Sequence, residues 1–263
     1  NESFRLLGLD YVYLCFDVNE ETLPAAVAGL KTCGIRGFNL TMPNKNKIVE
    51  LLDELSPEAQ LIGAVNTVLN DNGKLIGYNT DGYGFMQSVR DAGHDITGKN
   101  ITVMGVGGAS MAICAQSALD GAASVHIFAR RTSRYWNRTQ KFAENLSAKT
   151  GCQVCLFDND DHTALRDSIA QSYLLINATS VGMVPDIDDT IIKDTSLFHP
   201  ELVVADVVYE PQETRLLREA KAAGCQTFNG MYMLLHQGAK AFQIWTGQEM
   251  PVSVIKEKYF SVK

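Results

Sequence analysis

Short apolar runs alternate with longer stretches in which apolar positions recur every three or four residues, and this alternation continues along the whole chain. The run over residues 11–16 predicts a strand, followed by a helix over 22–33 and a short strand over 37–40. Residues 47–55 carry helical spacing. Residues 64–70 and 74–78 flank Asp71-Asn72-Gly73 and predict a hairpin, because Asn-Gly readily adopts the left-handed conformations of a two-residue turn. A helix over 82–92 ends near Gly93, and the polar stretch to Asn100 marks a boundary between two lobes. Beyond it the pattern predicts a strand over 101–105, a helix over 109–119 and a strand over 124–129. That is a βαβ unit of about thirty residues, the size of a mononucleotide-binding half. A helix over 139–150, strands over 153–157, 174–177 and 203–209, a helix over 213–223, a strand over 226–228 and a helix over 231–246 complete the pattern. Alternating strands and helices imply a parallel sheet covered by helices.

The βαβ unit opens on Ile101-Thr-Val-Met-Gly105-Val-Gly107-Gly108-Ala109-Ser110. This departs from G-x-G-x-x-G in that Ser110 replaces the last glycine. Gly105 and Gly107 still allow a tight turn and a close approach of backbone to a pyrophosphate, and the following helix offers its N-terminal amides to that anion. In the full βαβ context the pattern favours dinucleotide binding over a purely structural turn. An NAD site usually carries an acidic residue at the end of the next strand. Here that place reads Phe128-Ala129-Arg130-Arg131-Thr132-Ser133-Arg134, with no carboxylate. Two guanidinium groups and a threonine suit a 2′-phosphate. Arginines solvated at a strand end, or stacked on the adenine of either cofactor, are the alternatives. NADP is therefore mildly favoured, with NAD left open.

Upstream, Asn39-Leu-Thr41-Met-Pro43-Asn-Lys45 carries a lysine among small polar neighbours, and Gly77-Tyr-Asn79-Thr-Asp81-Gly82 carries a carboxylate at an expected strand end. Each alone is most simply a solvated charge. Ahead of a dinucleotide-binding unit, Lys45 and Asp81 form a candidate proton-handling pair for oxidation of an alcohol by a nicotinamide cofactor.

Composition narrows the field. With 263 residues, 46% of them hydrophobic and 20% charged, the chain reads as a soluble globular protein of one large or two modest domains. A formal charge of −7 argues against nucleic acid or an anionic membrane as partner. No apolar run has the length of a membrane helix. The six cysteines are dispersed and read as small buried hydrophobes in a reducing compartment, so a cytoplasmic location is expected. Cys152-Gln-Val-Cys155 has redox or zinc spacing, yet it lacks a second pair or a histidine cluster, and strand alternation puts its cysteines on opposite faces. No metal is expected. His236 reads as a packed or solvated residue, Trp245 as a packing residue, and the acidic stretches 158–161 and 186–189 as solvated loops.

Seven motifs in one order give the chain a family resemblance. They are Asn39-Leu-Thr41-Met-Pro43-Asn-Lys45, Gly63-Ala-Val-Asn66-Thr67, Asn79-Thr-Asp81-Gly82, Gly105-Val-Gly-Gly-Ala109, Asn177-Ala-Thr-Ser180-Val-Gly182-Met183, Asp206-Val-Val-Tyr209 and Gly230-Met-Tyr-Met-Leu-Leu-His-Gln237-Gly238-Ala239. Over essentially its whole length the chain resembles the shikimate dehydrogenases, most closely the quinate/shikimate dehydrogenase branch. The resemblance implies that Lys45 is the catalytic base or proton relay, with Asp81 its carboxylate partner. It implies that Thr41, Asn66 and Gln237 hydrogen-bond the substrate's ring hydroxyls and that Tyr209 lines the site near substrate and nicotinamide. Gly105, Gly107, Gly108 and Ala109 match the pyrophosphate loop, and the backbone of Gly230 meets the nicotinamide. The implied reaction interconverts shikimate and 3-dehydroshikimate, and quinate and 3-dehydroquinate, by hydride transfer with NADP or NAD.

Two departures from the family pattern stand out. The family carries a Ser-x-Ser-Pro segment near its N-terminus whose serines bind the substrate carboxylate. This chain opens on Asn1-Glu-Ser-Phe-Arg-Leu-Leu-Gly, similar to the stretch just after that motif, and Ser3 does not match those serines. A sequence cropped ahead of Asn1 is the expectation. The quinate/shikimate branch also often has an aspartate where Thr132 stands, a carboxylate that would favour NAD.

The expected fold is α/β with two lobes. An N-terminal α/β substrate domain over 1–85 is completed by C-terminal helices over 231–263, and a Rossmann-type dinucleotide-binding domain spans 86–230. The expected partner is a small-molecule substrate, in a monomer or homodimer. A catalytically idle dinucleotide-binding relative acting as a sensor is the competing reading, and the presence of both Lys45 and Asp81 argues against it.

Overall fold

The computed structural model describes residues 1–260, which divide into two compact units. The first holds Asn1–Gly84 together with the residues from Leu235 on; the second is Phe85–Leu234. The assignment of residues 261–263 to the first lobe lies outside the described residues.

The first unit begins with α1 (Glu2–Leu6), α2 (Leu23–Thr32), β1 (Gly37–Asn39), α3 (Asn44–Lys47), β2 (Glu54–Leu55), α4 (Pro57–Ile62), β3 (Thr67–Asp71) and β4 (Lys74–Tyr78). Its four strands lie in the order β1-β3-β4-β2, antiparallel except for the β2–β4 pair. The hairpin turns on Asn72 and Gly73, both at positive φ (52° and 92°), as a two-residue turn between twisted strands requires. Leu23, Val27, Ile48, Val65, Val68 and Leu75 form the core beneath this sheet.

α5 (Asp81–Asp91) carries the chain into the second unit. There follow β5 (Asn100–Met104), α6 (Gly108–Leu119), β6 (Ser124–Ala129), α7 (Trp136–Thr150), β7 (Gln153–Asp158), α8 (His162–Gln171), β8 (Leu174–Asn177), β9 (Val203–Asp206), α9 (Arg215–Ala222) and β10 (Gln226–Phe228). All six strands are parallel, in the order β10-β9-β8-β5-β6-β7. Numbered within the sheet this is 3-2-1-4-5-6, the doubly wound Rossmann order, whose strand direction of travel reverses between β5 and β8. Every residue of β8 and β9 is buried, as a parallel sheet covered on both faces demands. The chain then returns to the first unit through α10 (Met231–Thr246) and ends its described part in α11 (Val252–Tyr259). The Trp245 indole of α10 donates to the Val68 carbonyl (2.9 Å) against Gly37, where any side chain would overlap the ring.

Three expectations are corrected, each for a local reason. Residues 11–16 form no strand. The Tyr13 backbone exchanges hydrogen bonds with the Asn1 side chain instead of a neighbouring strand (2.7 and 3.0 Å), and Val12, Leu14 and Phe16 are exposed. Residues 47–55 are not one helix: after a 3-10 turn over Ile48–Leu51, Glu54 and Leu55 pair with Ile76 and Gly77 of β4. Sheet pairing here overrides helical periodicity. The strand expected over 203–209 stops at Asp206, whose carboxylate accepts from the Val208 N–H (2.9 Å) and turns the chain out of the sheet. Helices α4 and α8 were not anticipated. Both carry capping signals, the Ser56 hydroxyl accepting from Ala59 N and the Asp161 carboxylate from Ala164 N.

Candidate functional site

In the first unit, β3, β4 and the starts of α3 and α5 converge on one polar cluster. Lys45 sits in α3, whose backbone is tied to the segment before β3 by the Val65 N–H donating to the Lys45 carbonyl (2.8 Å). Asp81 opens α5, where the positive end of the helix dipole favours a carboxylate. The Lys45 ammonium donates to Asp81 Oδ2 at 2.6 Å, and both side chains are largely shielded, 19% and 12% exposed. A charge pair so shielded is costly to split, since removing one partner leaves the other buried and uncompensated.

The other oxygen, Asp81 Oδ1, accepts from Asn66 Nδ2 at 2.8 Å. Asn66 is buried and engaged at both ends of its amide. Its Nδ2 also donates to Thr80 Oγ1 (3.0 Å) and to Gln237 Oε1 (3.3 Å), while its Oδ1 accepts from the Thr80 N–H (2.9 Å) and the Thr67 hydroxyl (2.9 Å). Four of the residues singled out from the sequence, Lys45, Asp81, Asn66 and Gln237, thus share one hydrogen-bonded network. Thr41 stands outside it, exposed in the loop before α3. Thr67, Thr80 and Asn39 belong to the network and were missed as members of it. They lie inside the family motifs, but nothing local marks a buried hydroxyl as oriented. Neighbouring His236 is buried in α10.

The second unit carries its own site at the switch point of the sheet. Gly105 follows β5 at φ +113°, and a Cβ there would stand 2.8 Å from Thr179 Cγ2 and 2.9 Å from the Ala178 carbonyl, in the loop after β8. Only glycine allows both the conformation and that approach. Ser110, the residue in place of the last glycine, donates its hydroxyl to the Gly105 carbonyl (2.5 Å) and so closes the turn. Gly107 caps α6 with extended backbone and no side-chain hydrogen bond, so the first amides of this twelve-residue helix lack a side-chain acceptor. A Cβ at Gly107 or Gly108 would meet nothing within 4 Å. An open, glycine-faced helix N-terminus at the carboxyl edge of the switch point fits a dinucleotide's pyrophosphate. Ala109 lies just inside this helix.

Arg130, Arg131 and Thr132 are exposed in the loop after β6. The Arg131 guanidinium stacks on the Trp136 ring (4.6 Å to its centroid), and the Arg131 N–H donates to Asp158 Oδ1 (3.4 Å). Asp158 is therefore not a solvated loop residue: it ends β7 and holds the turn beside it. Cys155 lies in β7 and Cys152 just before it; all six cysteines are free, and among the described residues no three histidine, cysteine or acidic side chains form a metal cluster.

Tyr209 is exposed just beyond β9. Gly230 is buried with its N–H donating to the Val208 carbonyl (3.4 Å), and a Cβ there would overlap the Val207 carbonyl. Asp206 braces this segment. Its Oδ1 accepts from Asn177 Nδ2 (3.0 Å) and Val208 N, and its Oδ2 from the Thr214 hydroxyl (2.8 Å) that also caps α9. Burial pushes the Asp206 carboxyl above its usual range, against these three hydrogen bonds, which favour the charge. Asn177 in turn accepts from the Thr179 N–H and hydroxyl and donates to the Val181 carbonyl. The motifs around 177–183 and 206–209 are thus one supporting framework.

The strand order and the glycine turn at its switch point define a Rossmann-type α/β protein with a second α/β unit. Residues 1–68 match the shikimate dehydrogenase substrate binding domain, and residues 230–258 match the shikimate 5′-dehydrogenase C-terminal domain. The shikimate dehydrogenase (NADP(+)) of Listeria innocua is 52% identical over 260 residues, spanning 99% of this chain and 89% of that protein. The crystal structure of shikimate 5-dehydrogenase from Listeria monocytogenes in complex with shikimate and NAD superposes with a TM-score of 0.95 at 51% identity, over 97% of this chain and 88% of that one. The quinate dehydrogenase of Corynebacterium glutamicum in complex with NAD gives a TM-score of 0.86 at 31% identity, over 99% and 92% of the two chains. The chain belongs to the shikimate dehydrogenase family.

Proposed function

We propose that the protein interconverts shikimate and 3-dehydroshikimate with NADP, accepts NAD less well, and also acts on quinate. The first unit, with the C-terminal helices, is the substrate domain; the second binds the dinucleotide through Gly105, Gly107, Gly108 and Ala109. The observation that carries this reading is the shielded Lys45–Asp81 pair, 2.6 Å apart, in a chain half identical to a shikimate dehydrogenase.

The bound nicotinamide supplies the two-electron acceptor for a hydride from the substrate's ring carbon. Everything else is the work of side chains. Lys45, once it has released its own proton to solvent, takes the proton of the reacting hydroxyl as the neutral amine, and Asp81 stabilises the ammonium that results. In the reverse direction the same ammonium returns the proton. Asn66 fixes Asp81 from its other oxygen, and Asn66, Gln237 and Thr41 offer polar groups for the remaining hydroxyls. Arg130, Arg131 and Thr132 hold the adenosine end, where guanidinium groups without a carboxylate in the same loop favour a 2′-phosphate. Support for NAD use comes from the Listeria monocytogenes enzyme, whose crystal structure holds NAD.

Initial rates of reduced-nicotinamide formation with shikimate and quinate, each with NADP⁺ and NAD⁺, test the proposal. Turnover of shikimate, faster with NADP⁺ and accompanied by slower turnover of quinate, is expected. Absence of turnover in all four combinations would overturn it in favour of an idle, dinucleotide-sensing relative. Preference for NAD⁺ would overturn the reading of Arg130, Arg131 and Thr132 alone.

A further inference from the structure

We propose that Thr67 is a positioning residue for the reaction: its hydroxyl, together with the Thr80 N–H, holds the Asn66 carboxamide in one orientation, and through it the geometry of the Lys45–Asp81 pair. This rests on the proton-handling role proposed for that pair.

The argument is one of donor and acceptor polarity. The Asn66 backbone carbonyl is an obligate acceptor and takes a hydrogen bond from Asn39 Nδ2 (3.1 Å), which fixes the orientation of the Asn39 amide. With its Oδ1 turned the other way, Asn39 accepts from the Tyr13 hydroxyl (3.0 Å). The same Asn39 Nδ2 donates to Thr67 Oγ1 at 2.9 Å. Thr67 therefore accepts on that side, and its single hydroxyl proton goes to Asn66 Oδ1, also at 2.9 Å and nearer than the Thr80 hydroxyl at 3.4 Å. Thr80 supplies a second obligate donor to the same oxygen through its N–H. With its oxygen so engaged, Asn66 turns its Nδ2 toward Asp81 Oδ1 and leaves Oδ2 to Lys45. Thr67 is fully buried in β3 and Thr80 is nearly so, so no water substitutes for a lost hydroxyl. Flipping the Asn66 amide would set its oxygen against the Asp81 carboxylate and its NH₂ against the Thr80 N–H.

Thr67→Val keeps the shape and removes the hydroxyl; Thr67→Ser keeps the hydroxyl and removes a methyl group. Positioning predicts a kcat for shikimate lowered about tenfold in Thr67→Val with KM within about twofold, and near-normal kcat in Thr67→Ser despite its greater loss of packing. A merely structural residue predicts kcat losses that follow the two variants' losses of thermal stability, with no separate dependence on the hydroxyl. The Asn66 side-chain amide resonances in the NMR spectrum give a readout that needs no turnover: broadened or displaced in Thr67→Val, retained in Thr67→Ser. Unchanged kcat and unchanged amide resonances in Thr67→Val would overturn the proposal, as would equal kcat losses in the two variants. If the parent enzyme turns over neither shikimate nor quinate, the functional reading fails by itself, and the amide resonances alone decide the role of Thr67.

Discussion

The two units build their sites from opposite materials. The first uses side chains: an ammonium, a carboxylate, three amides and two hydroxyls, joined in one hydrogen-bonded network. The second uses backbone: a glycine at positive φ, an uncapped helix N-terminus, and open space where side chains would otherwise stand. In the second unit the buried carboxylate of Asp206 braces loops instead of facing a ligand. Proton transfer needs groups that change charge, whereas holding a pyrophosphate needs donors that never do.

If this contrast is right, Asp206→Ala damages the fold more than a change at Gly107 or Gly108, where a Cβ has room. It strips the acceptor from three buried donors and lowers the unfolding free energy by about 3 kcal/mol, read from denaturant titrations. Loss of less than about 1 kcal/mol would break the bracing role.

At Gly107 the expected damage is to binding alone. Gly107 has ordinary backbone angles (φ −80°) and room for a Cβ, so Gly107→Val folds normally but fills the space assigned to the pyrophosphate. Its dissociation constant for NADP⁺ rises at least about tenfold, about 1.4 kcal/mol, with an unchanged melting temperature. Unaltered affinity would move the phosphate site elsewhere.

The contrast extends to the adenosine end. Thr132→Asp places a carboxylate in the loop that now offers only guanidinium groups and a hydroxyl, and the kcat/KM ratio for NADP⁺ over NAD⁺ falls about fivefold or more. An unchanged ratio would take this loop out of the choice between the two cofactors.

The smallest effect is one of pH. The folded Asp206 carboxyl binds its proton more tightly than the unfolded chain does, because burial disfavours its charge. Its contribution to stability is therefore full below the unfolded value, near pH 4, and is lost as pH rises through the raised folded value. The unfolding free energy of the wild type minus that of Asp206→Asn should fall across that window and level off above it. A difference that rises with pH would contradict the assignment.

Much of the second unit was legible in the sequence, because parallel strands buried on both faces read as unbroken apolar runs, as at 174–176 and 202–205. The glycine turn was legible because backbone conformation selects residue type directly, and Ser110 departs from the pattern only to hydrogen-bond the first glycine's carbonyl. Asp158 was misread as solvated, since its partner, the Arg131 N–H, lies across the sheet and not along the chain. The first unit was harder. Residues 11–16 have the composition of a strand but no ladder to join, and Glu54 and Leu55 join one despite helical spacing. Lys45 and Asp81 lie 36 positions apart; their place ahead of the dinucleotide-binding unit made them candidates, and the family motifs gave them their roles. Asn39 and Thr67 were invisible as positioning groups, because their orientation is a property of the folded network and not of any residue in it.

The most direct test of the central claim is single-turnover kinetics of Lys45→Ala with shikimate and NADP⁺, alongside equilibrium binding of NADP⁺. The account predicts hydride transfer slowed by about a thousandfold, with the NADP⁺ dissociation constant within about twofold of the parent value. Hydride transfer at the parental rate would contradict it.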